Sequence, residues 1–409
     1  MKGALIVLLL CSSVLMGQEV FSPRIRGLRV TGTADARFPI AEKSSRPITI
    51  EFDMNEPNAD DFIFRFYHCD RNWQVTRTMF VNDEMQNRTR MPIPYESAPA
   101  GVREYRFHYS LSIPGFIGFK EFPHSGNYLF ELWDYNQKNL LARGRFFVVE
   151  RLVQPRISIE KRLLPEGTNP LNQVHEISTS FSLPHPDSIS QESFYPLNLS
   201  TVDVFKNREL FNSRRVDTND QDPQTFVDGF GTAKLSFIIR TIMPGKEYRQ
   251  IDLRKVEYYP AGKPARSREG ADVSRFLAGA TPANFGTSTF SIGNAFADYL
   301  PFQFELLLEQ RILDPIYVVG DFNGWRSSPA SAMVYNEEQQ RYVWQTSLRR
   351  GLYDYQYVVA PNDWTRLEGN DWQTGNVYTA LVYYKDVRFG GFDRIIGFAQ
   401  RRSAGSPAR

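Results

Sequence analysis

Val318-Val-Gly-Asp-Phe-Asn-Gly-Trp325 carries the reading of this chain. An apolar run, Pro315-Ile-Tyr-Val-Val319, enters a turn rich in Gly and Asn and stops at a Trp. Further on, Arg341-Tyr-Val-Trp-Gln-Thr-Ser-Leu348 alternates as a half-buried strand does. Arg350-Gly351 then turns the chain into Tyr353-Asp-Tyr-Gln-Tyr-Val-Val359, with aromatics at every second position through Tyr357. Strand, corner and hairpin in that order describe a small β-sandwich. Gly320 and Gly324 suit positive φ, Asn323 tolerates the same region, and the Asp321 carboxylate is expected to cap the turn.

Gly320-Asp-Phe-Asn-Gly-Trp325, the Met333 that follows and Leu352-Tyr-Asp-Tyr-Gln-Tyr357 resemble the early-set sandwich of starch- and glycogen-binding modules and branching enzymes. The likeness runs from about Tyr299 to Tyr384. It implies a fold and leaves function open, because the same module serves elsewhere as a bare structural domain. A glycan-binding reading would use flat aromatic platforms, and Trp325, Trp344 and Trp364 are its candidates. Trp364, on the expected loop Pro361-Asn-Asp-Trp364, is the one expected to be exposed.

Aromatic residues make up 14% of the chain, with 27 Gly and 25 Pro. That balance, with little helical periodicity, indicates an all-β chain with many turns. The net charge of +2, with both signs interspersed, excludes a concentrated basic stripe and with it nucleic acid as a partner. Residues 1–17 read as a signal peptide: Lys2, then Ala4-Leu-Ile-Val-Leu-Leu-Leu10 and Val14-Leu-Met16, with the cut between Gly17 and Gln18. The rest holds no apolar run long enough to span a bilayer, so no direct membrane insertion is expected. Of two cysteines only Cys69 lies beyond the leader, which rules out an internal disulfide in the processed chain.

Three tandem sandwiches are expected, of immunoglobulin-like or early-set type. The first, residues 18–151, contains Ile48-Thr-Ile-Glu-Phe52 and Phe62-Ile-Phe-Arg-Phe-Tyr-His68, whose Phe62, Phe64 and Phe66 share a core face. The second, 152–290, includes alternating runs at 173–183, 199–205, 235–242 and 250–258; Ala261–Thr289 is its least regular part. The third is expected over 291–398, and a disordered basic tail over 399–409.

Phe66-Tyr-His-Cys-Asp-Arg-Asn-Trp73 resembles the His-Cys-Asp-x-x-Trp signature of a family of exported bacterial proteins. Pro123-His-Ser-Gly-Asn-Tyr-Leu129, Arg145-Phe-Phe-Val-Val-Glu150, Glu368-Gly-Asn-Asp-Trp-Gln-Thr-Gly-Asn-Val-Tyr378 and Asp393-Arg-Ile-Ile-Gly397 are similar to the same family, in the same order. That family is the plug protein of the type IX secretion system. The resemblance implies a periplasmic, non-enzymatic protein that covers the periplasmic mouth of a large outer-membrane β-barrel translocon, with no small-molecule substrate and no cofactor. His68, Cys69, Asp70, Trp73, Gly126, Asn127 and Tyr128 are its signature positions, read as structural. One broad, partly apolar face is expected on such a plug.

Catalytic readings find little support. His68 and Cys69 are neighbours on a strand and point to opposite faces, so they form no nucleophile–base pair. His175-Glu176 lacks the second His of a zinc-protease helix, since residue 179 is Thr. The five His are scattered without metal-ligand spacing.

Overall fold

The computed structural model describes residues 18–403 apart from 33–37, 44, 84–86, 90, 118, 120, 165–171, 183–198, 220–221, 231, 261, 278–288 and 291–296. The expected leader with the Gly17 side of its cut, and the end of the tail, lie outside the described residues.

The first sandwich holds β1 (Glu19–Val20), β2 (Ile25–Thr31), β3 (Ile40–Glu42), β4 (Ile48–Met54), β5 (Phe62–Cys69), β6 (Tyr95–Ser97), β7 (Phe107–Ile113), β8 (Gly126–Asp134) and β9 (Leu140–Val149). One sheet runs β1-β9-β8-β5, with β3 added parallel to β9, and the other runs β2-β4-β7-β6. Strict alternation fixes the register: Phe62, Phe64 and Phe66 enter the core beside Phe52, Phe130 and Phe146. The Phe52 ring stacks on Tyr109 at 4.9 Å and meets Phe62 edge-on at 5.3 Å.

The middle sandwich begins with β10 (Arg156–Leu163), β11 (Gln173–Ser182), β12 (Leu199–Lys206), β13 (Arg214–Asp217), β14 (Thr225–Asp228) and β15 (Lys234–Ile242). The chain then leaves it to build the third sandwich: β16 (Arg249–Asp252), β17 (Ala265–Arg266), β18 (Asp272–Val273), β19 (Thr289–Phe290), β20 (Tyr299–Leu307), β21 (Ile316–Gly320), β22 (Val334–Asn336), β23 (Arg341–Arg349) and β24 (Gly351–Val359). It returns through β25 (Val377–Asp386) and β26 (Phe392–Arg402) to finish the middle one. The middle sheets are β10-β11-β15-β14 and β13-β12-β25-β26. Those of the third are β16-β24-β19, with β21 on β24, and β17-β20-β23-β22, with β18 on β20.

This pairing corrects the expected division in two places. The third sandwich is an insertion in the middle one, and the segment assigned to the end of the second, from Arg249 on, belongs to the third. The reason lies in β25. Tyr378, Ala380, Val382 and Tyr384 face the middle core, while Leu381 and Tyr383 face a second apolar cluster on the other side. A strand buried on both faces belongs at the centre of a sheet, and its partner β12 is far away in sequence. The tail is corrected as well: β26 continues to Arg402, and Arg401 donates to the Ile157 carbonyl at 2.9 Å.

The two crossings into the inserted sandwich run side by side. Gly245 N–H donates to Asn370 Oδ1 at 2.8 Å, Asp371 N–H to the Gly245 carbonyl at 3.0 Å, and Asn376 Nδ2 to the Pro244 carbonyl at 3.1 Å. Closely spaced ends are what a domain insertion requires.

The corner at 320–325 differs from expectation in detail. Gly320 is extended at φ −177°, and what it supplies is space: a Cβ there would lie 2.7 Å from both the Asp354 carbonyl oxygen and the Phe322 ring. Gly324 does take positive φ, at 64°. Asn323 closes the turn, accepting from Gly320 N–H at 2.9 Å and donating to the Val318 carbonyl at 2.8 Å. Asp321 is thereby released for another use.

Candidate functional site

The signature residues, dispersed in sequence, converge on the joint between the first and middle sandwiches. His68, next to last in β5, is fully buried. Its Nε2 lies 3.0 Å from the Ser125 carbonyl and 3.0 Å from that of Asp393 on β26, so Nε2 carries the proton and Nδ1 accepts from Thr76 Oγ1 at 2.8 Å. Burial pushes its pKa down to about 4. It is a neutral crosslink between sandwiches. Cys69 is also buried, and loss of hydration pushes its thiol up to about 12, which leaves it inert as a nucleophile.

Asp70 organises the turn after β5, accepting from Asn72 and Gln74 N–H groups, both at 2.9 Å. That turn places Trp73, at φ 65°, with its ring 5.3 Å from Phe147. Asn127 donates to the Asp70 carbonyl at 3.0 Å and accepts from Tyr383 Oη on β25 at 2.8 Å. Tyr128 Oη donates to the His124 carbonyl at 2.8 Å. Gly126 has φ 146°, and a Cβ there would overlap the His68 ring and lie 2.9 Å from the Asp393 carbonyl oxygen. Gly126→Ala is expected to destabilise the chain by about 3 kcal/mol, combining backbone strain with overpacking. Urea unfolding measures this, and an unchanged midpoint would contradict the packing described.

Charge and apolar contact reinforce the joint. Arg71 N–H donates to Asp393 Oδ2 at 2.8 Å, and its guanidinium reaches Thr201 and Asp217. Arg215 holds Asp203 through two bonds of 2.7 and 2.9 Å while donating to the Arg71 carbonyl at 2.8 Å. Phe38 and Phe147 meet Phe205 of the middle sandwich at 5.1 and 5.4 Å. The linker is pinned too, since Leu152 and Val153 N–H groups donate to the Ile396 carbonyl.

The third sandwich is fixed to both others by buried charge. Asp321, 5% exposed, pairs with Arg208 of the middle sandwich and lies 4.0 Å from Arg29 of the first; those arginines are 6% and 7% exposed. One carboxylate thus joins three sandwiches. A second joint pairs Asp53 of β4 with Arg349 of β23 at 3.1 Å, with Tyr299 Oη donating to Asp53 at 2.9 Å. Residue type alone did not single out these groups. The available signal was an Asp inside a Gly-Asp-Phe-Asn-Gly turn that Asn323 could close unaided.

The glycan candidates are not platforms. Trp325 and Trp364 are 1% and 7% exposed and form a cluster with Val319, Val358 and Tyr248. The Tyr248 ring lies tilted against Trp325 with centroids 4.1 Å apart, and its hydroxyl donates to Glu209 of the middle sandwich. Trp364, expected on an exposed loop, is held by this contact and by an Nε1 bond of 2.7 Å to Asn362 Oδ1. Trp344 is half-buried, stacks on Phe304 at 5.3 Å and donates to the Ala330 carbonyl. Exposed large apolar side chains are spread over all three sandwiches, with Met79, Ile117, Leu277 and Leu313 the most prominent, rather than confined to the first, middle or third alone.

Among the described residues no group of His, Cys, Asp and Glu is arranged to hold a metal ion. No helix there is long and apolar enough to cross a membrane.

Comparison with known proteins agrees with this architecture. A crystal structure of a hypothetical protein from Parabacteroides merdae superposes with a TM-score of 0.75 at 19% identity, covering 95% of this chain and 99% of that one. It shares the fold. The B domain of a biofilm-associated protein (7% identity, 93% of this chain and 86% of that one) and a bacterial ice-binding adhesin (8%, 92% and 96%) reach TM-scores of only 0.17 and 0.14, too low to argue a common fold. No curated protein matches the chain. The family model that matches, over residues 25–150, is the type 9 secretion system plug protein 1st domain. These residues coincide with the sandwich that carries His68, Cys69, Asp70 and Trp73, so the first of the three sandwiches matches the first domain of type 9 secretion system plug proteins.

Proposed function

We propose that this chain is a non-enzymatic periplasmic plug that docks on the periplasmic opening of the large outer-membrane β-barrel translocon of type IX secretion and closes it. The observation that carries this reading is the plug-family domain at 25–150, built into a body of three sandwiches cross-linked at every joint. A barrel wide enough for folded cargo would leak small solutes when idle. Its cover must resist deformation yet come off when a client is engaged. Buried charge joints supply the rigidity. An interface of standard size, about 1,600 Å² in total, is stable and still reversible. The protein is exported by its leader and reaches the outer membrane only through this partner.

Affinity capture of the tagged chain from detergent-solubilised envelope, followed by mass spectrometry, tests the reading. One very large outer-membrane β-barrel at near-stoichiometric yield is the expected result. Absence of any barrel, with retention on a glycan column, would replace it by glycan binding. Because Trp325, Trp344 and Trp364 are packed, Trp fluorescence is expected to stay constant on titration with maltooligosaccharide.

A further inference from the structure

Alternation along β5, β8 and β9 sends Phe64, Phe66, Phe130 and Phe146 into the first core. It turns Arg65, Glu131, Trp133, Arg143 and Arg145 to the opposite side of the sheet, in a register that sets Arg65 and Arg143 on either flank of Glu131. At one end this outward face is covered, because Phe147, the next outward residue of β9, packs on Phe205. Arg145 stands at the rim of that covered area.

Arg145 differs from the other buried arginines. Arg29, Arg208, Arg249, Arg349 and Arg394 each have a carboxylate partner, and Arg350 donates to the Leu253 and Tyr259 carbonyls. Arg145 is 7% exposed, its Nε is buried without a hydrogen-bond partner, and no carboxylate among the described residues pairs with it. Its guanidinium is held 4.5 Å from the Trp73 ring and 5.8 Å from that of Phe211, which reaches over from the middle sandwich. Burial lowers its pKa to about 10, so it is still a cation at neutral pH. Desolvating a cation is costly unless an anion compensates it. A planar guanidinium fixed by aromatic contact, with donors unused, suits bidentate recognition of a carboxylate.

The surroundings indicate a protein partner. Arg65 lies 4.9 Å over Trp133 and donates to Gln137, while Arg143 pairs with Glu131 at 2.6 Å and lies 5.8 Å from the half-exposed Phe21. Glu19, opposite Arg143 on β1, is paired with Arg326 of the third sandwich, so Arg65, Arg143, Arg145 and Arg326 face Glu19 and Glu131 and leave the face cationic. Arginine with Trp and Phe on an open sheet face is the composition of binding hot spots. We propose that this arginine–aromatic face is the surface by which the chain holds its barrel partner, and that Arg145 takes a carboxylate from an acidic segment of that partner. The proposal rests on the plug reading above and assigns its docking face.

The test uses full-length native chain, Arg145→Gln and Arg65→Glu, each applied to the same solubilised envelope, and then to the purified barrel at two salt concentrations. Each variant is expected to weaken barrel binding by about tenfold or more. The native affinity is expected to fall with salt. Arg145→Gln gives up its ring contacts and Arg65→Glu faces Glu131 across the strands, so each is expected to lower the melting temperature modestly while binding is lost at temperatures where the variant is fully folded; a purely structural arginine would lower the melting temperature and leave affinity intact. Barrel capture that is equal for all three proteins overturns the face and leaves the plug reading standing. A native chain that captures no barrel overturns both. Should Arg145→Gln fail to fold, Arg65→Glu, at a half-buried position, decides alone.

Discussion

Asp321→Asn is expected to destabilise the chain by about 3–5 kcal/mol and to loosen all three sandwiches together. The substitution keeps the shape of the side chain and removes only its charge. Arg208 and Arg29 then remain buried with their shared carboxylate gone. A guanidinium left uncompensated in a poorly hydrated site costs several times what an exposed ion pair contributes. The turn itself is expected to survive, because Asn323 closes it. Trp325, packed against Tyr248 at the adjoining contact between the third and middle sandwiches, provides a local fluorescence signal. Guanidinium unfolding measures the loss. If the joint is shared as described, replacing Arg208 by Leu in the same chain should recover part of the stability, since removing both charges is far less costly than removing one. A loss below about 1 kcal/mol for Asp321→Asn would mean that the three-way contact contributes no more than a surface pair.

The contrast between Asp321 and the strands around it shows what a sequence exposes and what it hides. Period-two alternation made the phenylalanines of β5 legible as core, and the glycine-rich corner at 320–325 made the third sandwich legible as a sandwich. Both are local, so both are written within a few residues. Sheet partnership is not local. Val377–Asp386 reads as a mostly apolar strand, and nothing nearby states that it pairs with Leu199–Lys206 rather than with the strands just before it. The insertion of one sandwich into another was therefore invisible. The signature residues show the same limit at the level of single groups. Their types suggested a turn and its apolar plug, which Asp70 and Trp73 do form. That the His68 ring reaches across to a carbonyl on β26 could not be read from spacing. Trp364 misled for a related reason: Pro361-Asn-Asp is a loop sequence, but the loop lies against Tyr248, a residue of the connector from another sandwich.

Asp53→Asn is expected to cost a similar amount, about 3–5 kcal/mol, and also to change the dependence of stability on pH. Asp53 and Arg349 are 1% and 3% exposed, so the neutral variant strands a buried guanidinium at the joint between the first and third sandwiches. Arg349 retains Tyr105 Oη at 2.9 Å, which offers a hydrogen bond and no charge. The second consequence runs through His108, whose Nδ1 lies 2.7 Å from Asp53. Burial alone would lower the His108 pKa, but hydrogen bonds to Asp53 and Glu51 outweigh it and raise it from 6.5 to about 9. A folded-state pKa above the unfolded value means that the folded chain holds the proton more tightly. The stabilisation is complete below pH 6.5 and is lost as pH rises through about 9. The native chain should accordingly melt at falling temperature across that window, to the extent that His108 governs it. With Asp53 neutral, Glu51 is left as the carboxylate facing His108 at 3.8 Å, the folded pKa returns towards its ordinary value, and the alkaline slope flattens. His68 acts in the opposite sense. Its folded pKa is depressed to about 4, so protonation of the unfolded chain weakens the joint between the first and middle sandwiches as pH falls from 6.5 towards 4. That acid limb does not involve Asp53 and should persist in the variant. Melting curves of native and variant chains between pH 4 and pH 9 thus separate the two joints. An alkaline slope that is unchanged in Asp53→Asn would show that His108 takes its raised pKa from Glu51 alone.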